Sequence, residues 1–331
     1  MTQSDIKERI FNISSEEGFN RLALEVFLYQ YENNTVYRNY VNCVCRDLKQ
    51  IRHFKQIPFL PVEFFKTQKV ITGNEQVQYV FNSSGTTKQS RSCHYVTDLS
   101  IYEKASITAF EKFYGKIGEY TILALLPSYP RKKNSSLAWM AQLFINKSNY
   151  KNDCGFFLNE HPSLLKKLKI LNKYPSRKIL LLGLSYALLD FAEKMDFSLK
   201  NGIVMETGGM KGKHEEMLRK ELHEIICKKF TVAVIHSEYG MTELLSQAYS
   251  QGNGIYKSPP WMRVLIREPN DPYTLIETGH KGGINIIDLA NINSCSFLAT
   301  QDVGWLYEDS SFEVSGRFDY SDTRGCNLMI R

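Results

Sequence analysis

A chain of 331 residues, 43% of them hydrophobic and 12% aromatic, is long enough to bury a sizeable core and too aromatic to be disordered. Its net charge of +6, from 41 basic and 35 acidic residues, is spread without an arginine-rich tract or a basic–aromatic ladder, which argues against a nucleic-acid partner. The most apolar run, Ile179 to Leu189, falls short of the ~20 residues that a crossing helix needs, so no membrane span is expected.

The start, MTQSDIKERIF, is charged and lacks the apolar centre of a signal peptide. Seven cysteines at irregular spacings speak against a disulfide framework and for a reducing, cytoplasmic compartment. From Asp5 to about Lys55, the positions of Ile10, Phe11, Leu22, Leu24, Val26, Phe27, Leu28, Tyr31 and Val41 predict helices. Cys43 and Cys45 fall on different faces there and read as small buried residues rather than half a metal site. IPFLPVEFF then breaks the helices with two prolines and opens an extended stretch.

Strands and helices alternate beyond it. QYVFN leads through a Ser/Gly/Thr turn to the helical SIYEKASITAFEKFY, and YTILALLP through a polar loop to SLAWMAQLFI. RKILLLG leads through Ser185, the expected N-cap, into ALLDFAEKM; GIVMETGG leads into KHEEMLRKELHEIICKKF. FTVAVIHSEYG is expected to be one more buried strand. Such alternation means an α/β fold with a mostly parallel sheet covered on both faces. After Pro259, WMRVLIRE, YTLIETG, GINIIDL, CSFLATQD and FEVSGRFD predict short strands of a small antiparallel or barrel-like unit. The expected divisions are a helical region (1–56), an α/β core (57–258), a small β subdomain (259–312) and a hinge-like tail (313–331).

Several loops lie where α/β sheets place their ligands, beyond the carboxyl ends of strands. NSSGTTKQSR offers Ser83, Ser84, Gly85, Thr86 and Thr87, whose hydroxyls and unobstructed N–H groups suit a phosphate chain, with Lys88 and Arg91 adding charge. Read alone, such a loop is more often an ordinary turn, and it lacks Walker spacing. In SEYGMTELLSQAY, Tyr239 offers a flat face for a base, Gly240 close approach, Thr242 a hydroxyl and Glu243 a carboxylate for Mg²⁺; a plain helix start is the alternative. Gly208 and Gly209 end a strand beside Lys211 and Lys213, Asp302 in TQDVG suits a pair of ribose hydroxyls, and GRFDYSDTRGC closes the series.

In this order the segments resemble the core motifs of the adenylate-forming superfamily. The closer resemblance, from about Ile57 to the end, is to the acyl-protein synthetases of the LuxE type, relatives of the phenylacetate-CoA ligases. It rests on IPFLPVEFFK, SSGTT, LLPSYPRKKNSSLAWM, TGGMKG with ELHEI, YGMTELLSQAY and GRFDYSDTRGCN. It implies the large N-terminal domain of the adenylate-forming fold, ATP and Mg²⁺ as cofactors, and activation of a carboxylic, fatty acid as acyl-adenylate. The Ser83–Lys88 loop would bind phosphates, Gly208 and Gly209 would lie by the adenine, and Tyr239 and Gly240 would bind nucleotide. Asp302 would hold the ribose, Glu243 the metal, and Thr242 and Arg317 would assist catalysis.

Departures accompany the likeness. Lys88 stands for the loop's third glycine, Arg91 for its lysine, and Gln301 for the glycine of TGD. The sequence ends at Arg331, without room for the superfamily's lid domain. Cys326 stands where related ligases carry an apolar residue; beside Arg324 and Gly325 it is expected to receive the acyl group and pass it to a partner protein such as a reductase. An acyl-CoA ligase, a non-catalytic nucleotide-binding relative and an acyltransferase that uses the fold without ATP are the alternatives. Tyr129, Trp139 and Met140 are candidates for an acyl pocket, or for plain core.

Overall fold

Helices come first, as their spacing predicts: α1 (Gln3–Ile10), α2 (Glu16–Asn33) and α3 (Thr35–Val44). Asn34 joins the last two by receiving a hydrogen bond from Tyr37 N, and α2 buries Phe19, Leu22, Ala23, Val26, Phe27 and Gln30. This computed structural model describes residues 3–84, 91–128, 134–208 and 219–318. The remaining elements are β1 (Leu60–Pro61), α4 (Phe64–Thr67), β2 (Tyr79–Asn82), β3 (Cys93–Val96), α5 (Leu99–Tyr114), β4 (Tyr120–Leu125), α6 (Ser136–Lys147), β5 (Gly155–Phe156) and α7 (His161–Leu171). They continue with β6 (Lys178–Leu184), α8 (Ser185–Ala192), β7 (Gly202–Thr207), α9 (Arg219–Phe230), β8 (His236–Tyr239), β9 (Ala248–Ser250), β10 (Ile255–Lys257), β11 (Met262–Arg267), β12 (Lys281–Asp288), β13 (Phe297–Leu306) and β14 (Phe312–Arg317).

One sheet runs β11-β12-β13-β14-β10-β9-β8-β7-β6-β4-β5, with β1 added parallel to β13. Its parallel half is β5-β4-β6-β7-β8; every residue of β4 is buried, as a strand covered on both faces requires. From β8 onward the path continues antiparallel, so the closing strands share a hydrogen-bonded sheet with the parallel half. Tyr239, at the carboxyl end of β8, thereby reaches Asp302 of the β13–β14 pair. No helix among the described residues is long and apolar enough to cross a membrane.

Several local expectations need correction. QYVFN joins no parallel sheet; β2 pairs antiparallel with β3 in a separate hairpin. FTVAVIHSEYG is a strand only from His236, because Thr231 adopts φ 55° and Val232 N bonds Cys227 O, wrapping the β-branched residues around the end of α9. YTLIETG contributes only an isolated bridge, Arg267 to Leu275: Asp271 captures Tyr273 N and the Thr274 hydroxyl, folding the segment into a turn. Ser185 is not the N-cap of α8 but its first residue, and its hydroxyl serves the neighbouring strand. Cys43 is exposed and Cys45 half-buried, so neither is the buried residue expected.

Candidate active site

The β2–β3 hairpin closes at Ser83 and Ser92: Ser83 N donates to Ser92 O, and Ser92 N donates to Ser83 Oγ, both at 3.0 Å. Ser84 is exposed just beyond; Gly85, Thr86, Thr87 and Lys88 lie outside the described residues. Alternation along β3 turns Ser92 and His94 inward, toward the segment that follows β8.

That segment carries Thr242 and Glu243 and is gripped by its carbonyls. His94 Nδ1 lies 2.8 Å from Thr242 O, and Asn291 Nδ2 donates to Glu243 O at 2.7 Å. A carbonyl can only accept, so His94 is the Nδ1–H tautomer at this contact. Downstream, Asp288 Oδ2 accepts from Leu245 N and Ser246 N, and Trp261 Nε1 donates to Ser246 Oγ at 2.8 Å. Burial pushes the His94 ring down to about 4, so it is neutral at physiological pH. The Glu243 side chain is buried, which raises its pKa; the Ser92 hydroxyl and the Arg317 charge oppose that rise.

Beside it, Asp302 of β13 stands opposite Arg317 of β14, whose Nε donates to Oδ1 at 2.8 Å. Tyr239 Oη donates to Oδ2 at 2.7 Å, and its ring packs edge-on against Tyr256 and Phe312. Tyr239 is therefore held by its hydroxyl as well as its ring. Arg317 remains 67% exposed, so its guanidinium can still meet an anion. The attraction of Asp302, only partly offset by burial, raises its pKa further.

The end of β7 lies alongside β8. Gly208 has φ 67°, a left-handed conformation suited to glycine. The Ser185 hydroxyl lies 2.5 Å from Glu206 Oε2 and 2.8 Å from Gly208 O, pinning the strand's exit. Burial disfavours the Glu206 charge, but His223, Arg219 and Ser185 outweigh it and hold its pKa below the usual carboxylate range. Gly240 lies against Glu238: a Cβ there would stand 2.5 Å from the Glu238 carboxyl. Gln301 donates to Glu63 Oε1 at 2.5 Å, and its carbonyl accepts from Phe318 N, fastening the start of the tail.

The structure thus brings together Ser83, Thr242, Glu243, Tyr239, Gly240, Asp302 and Arg317, with Gly208 on the adjoining strand. Gly209, Lys211, Lys213, Tyr129, Arg324, Gly325 and Cys326 lie outside the described residues. Met140 is core, and Trp139 packs on Tyr79 and Phe81. Ser92, His94, Asp288 and Asn291 also serve this site, although no motif marks them. Their only signal is polar residues on inward positions of apolar stretches, in SCHYV and INIIDLANIN.

The sequence profile of a family described as "Acyl-protein synthetase, LuxE" matches residues 6–331. A protein of Aliivibrio fischeri named long-chain-fatty-acid–luciferin-component ligase is 23% identical over 369 residues, which cover 100% of this chain and 94% of that one. Among solved structures, 2-hydroxyisobutyryl-CoA ligase superposes with a TM-score of 0.68 at 12% identity, covering 96% of this chain and 72% of that one. ATP-bound MatB from Rhodopseudomonas palustris gives 0.56 at 14% identity over 74% of this chain, and the match spans 49%, about half, of its length. At these identities the structural likeness establishes the adenylate-forming ligase fold.

Proposed function

This chain belongs to the LuxE family of acyl-protein synthetases, and from that membership and the geometry of these residues we propose that it activates a fatty acid with ATP and passes the acyl group to a thiol. The observation that carries this is the convergence of Glu243, Asp302, Tyr239 and Arg317 where the hairpin of Ser83 meets the Thr242 segment. The acid is taken from the name of the Aliivibrio relative. ATP and Mg²⁺ belong to the same proposal, as does a cytoplasmic setting.

The donor set fits Mg²⁺: the Glu243 carboxylate is a hard oxygen ligand, and Arg317 favours its ionised form. The metal would neutralise phosphate charge when bound. Asp302 holds the ribose hydroxyls. Thr242 bonds the phosphate or the incoming carboxylate, and Arg317, with the Ser83–Lys88 loop, counters the repulsion between two anions. A carboxylate oxygen bonds to the α-phosphorus as the bond to pyrophosphate breaks. The Cys326 thiolate then bonds to the acyl carbon, AMP departs, and a partner protein such as a reductase receives the acyl group.

Two expected results test the scheme. Asp302→Ala weakens ATP binding by about 1.5–3 kcal/mol, a charged acceptor being lost, and leaves acid binding largely intact by calorimetry. Unchanged nucleotide affinity would make TQDVG a turn only. Cys326→Ser retains acid-dependent ATP–pyrophosphate exchange but loses the hydroxylamine-labile acyl label. Label persisting in that variant excludes Cys326 as carrier; exchange without label on the unaltered protein assigns the acceptor thiol to a diffusible molecule such as CoA.

A further inference from the structure

One buried carboxyl has no part in this scheme. Side chains alternate along a strand, so Glu238 of β8 points away from Tyr239, Asp302 and Arg317. It stands in register with Thr207 of β7 and Tyr249 of β9. The Thr207 hydroxyl donates to its Oε2, and no cation among the described residues forms an ion pair with it. Burial pushes this carboxyl up to about 7.

Two neighbours each bury a polar atom with no hydrogen bond among the described residues. Tyr249 is 1% exposed and its Oη makes no hydrogen bond among the described residues; Gln247 is 4% exposed and its Oε1 makes none either. Glu238 pairs with Tyr249 in the ladder, and Glu238 and Gln247 both border Gly240. A Cβ there would stand 2.5 Å from Glu238 Oε1 and 3.5 Å from Gln247 Cγ, while Tyr249 faces Glu238 across the ladder. Buried polar atoms are normally paired, so an amide oxygen and a phenol lacking partners, beside a carboxyl that holds only the Thr207 hydroxyl, describe the outline of a missing polar group. A bare alkyl chain supplies no such group.

The place matters as much as the polarity. Gly240 and Thr242 are two residues apart, so their Cα atoms are at most ~7 Å apart. A carboxylate held at Thr242 is therefore within a few bonds' reach of Gly240, which the Glu238 carboxyl abuts. We infer that Glu238, Gln247 and Tyr249 form a subsite for a hydroxyl or amino group carried close to the carboxylate of the acid substrate. A hydroxyl donates to Glu238 or Gln247 and accepts from Tyr249; an amine donates to both acceptors. The inference rests on the proposed role of Thr242 beside the reacting carboxylate.

Calorimetry on the full chain, with a saturated fatty acid and its 2- and 3-hydroxy and 2- and 3-amino analogues of equal length, tests it without turnover. At least one substituted acid binds ~10-fold or more tighter than the plain one, as sites built to bond a polar group reject analogues lacking it. Which analogue wins separates hydroxyl from amine. Tyr249→Phe, which removes only an unpaired hydroxyl and keeps the ring, retains its melting temperature and narrows that preference; Glu238→Leu narrows it further. Equal binding of all the acids, no binding of any, or a preference that survives both variants overturns the inference and leaves the cluster as a water site. Pyrophosphate release on the same panel judges adenylation separately: absence of release with every acid sinks that proposal while the binding ranks still decide this one.

Discussion

Glu243→Gln leaves the protein folded and removes acid-dependent ATP–pyrophosphate exchange. The substitution keeps the shape of a side chain that is 6% exposed and deletes only its charge. If that charge holds the metal, the loss is the metal's contribution of several kcal/mol; about 4 kcal/mol is ~10³-fold in rate. Stability moves the other way. Burial raises the Glu243 pKa, so between the ordinary glutamate range and that raised value the folded state holds the proton more tightly than the unfolded chain. Stability is therefore lost as pH rises through this window, and above it the natural protein carries a desolvated charge that glutamine lacks. The variant's melting temperature at pH 8 is expected to equal or exceed that of the natural protein. For the natural protein, exchange declines as pH falls through the raised pKa, because a protonated carboxyl is a poor ligand. A variant retaining exchange within ~10-fold would end the metal assignment.

The pattern of what was legible follows from the range of the forces involved. YTILALLP and RKILLLG are read correctly as buried strands because a run apolar on both faces has one common use in an α/β chain. YGMTE and TQD are legible as motifs, since their chemistry is local. The bond between Tyr239 and Asp302 joins residues 63 positions apart and leaves no periodicity to read. Ser185 shows the limit of local rules: serine before an apolar helical run suits a cap, but the demand of buried Glu206 on the adjacent strand prevails. Gln301 is anchored at both ends, by Glu63 and by Phe318 N, which no local pattern announces.

His94→Ala lowers the exchange rate and raises the Mg²⁺ concentration needed for half-maximal rate, whereas His94→Asn largely preserves both. The imidazole touches neither phosphate nor acid in the proposed scheme; it holds the peptide carbonyl of Thr242, with Asn291 doing the same for Glu243. Phe65 packs edge-on against the ring at 5.6 Å, which leaves it little freedom. Removing such a support costs about 10–100-fold in metal affinity or activity, and an asparagine amide can restore the donor. A titration separates this role from simple packing. An unfolded histidine takes its proton near 6.5 and this one only near 4, so between those values the unfolded chain binds more protons. The contribution is present in full above about 6.5 and is lost as pH falls through about 4. At 1.36 kcal/mol per pH unit, that fall from 6.5 to about 4 amounts to about 3 kcal/mol. Urea unfolding of the natural protein from pH 7 to pH 4 should therefore decline more steeply than that of His94→Asn, by about this amount, since other groups titrate alike in both. Parallel stability curves together with an unchanged Mg²⁺ requirement in His94→Ala would show that the ring merely fills space.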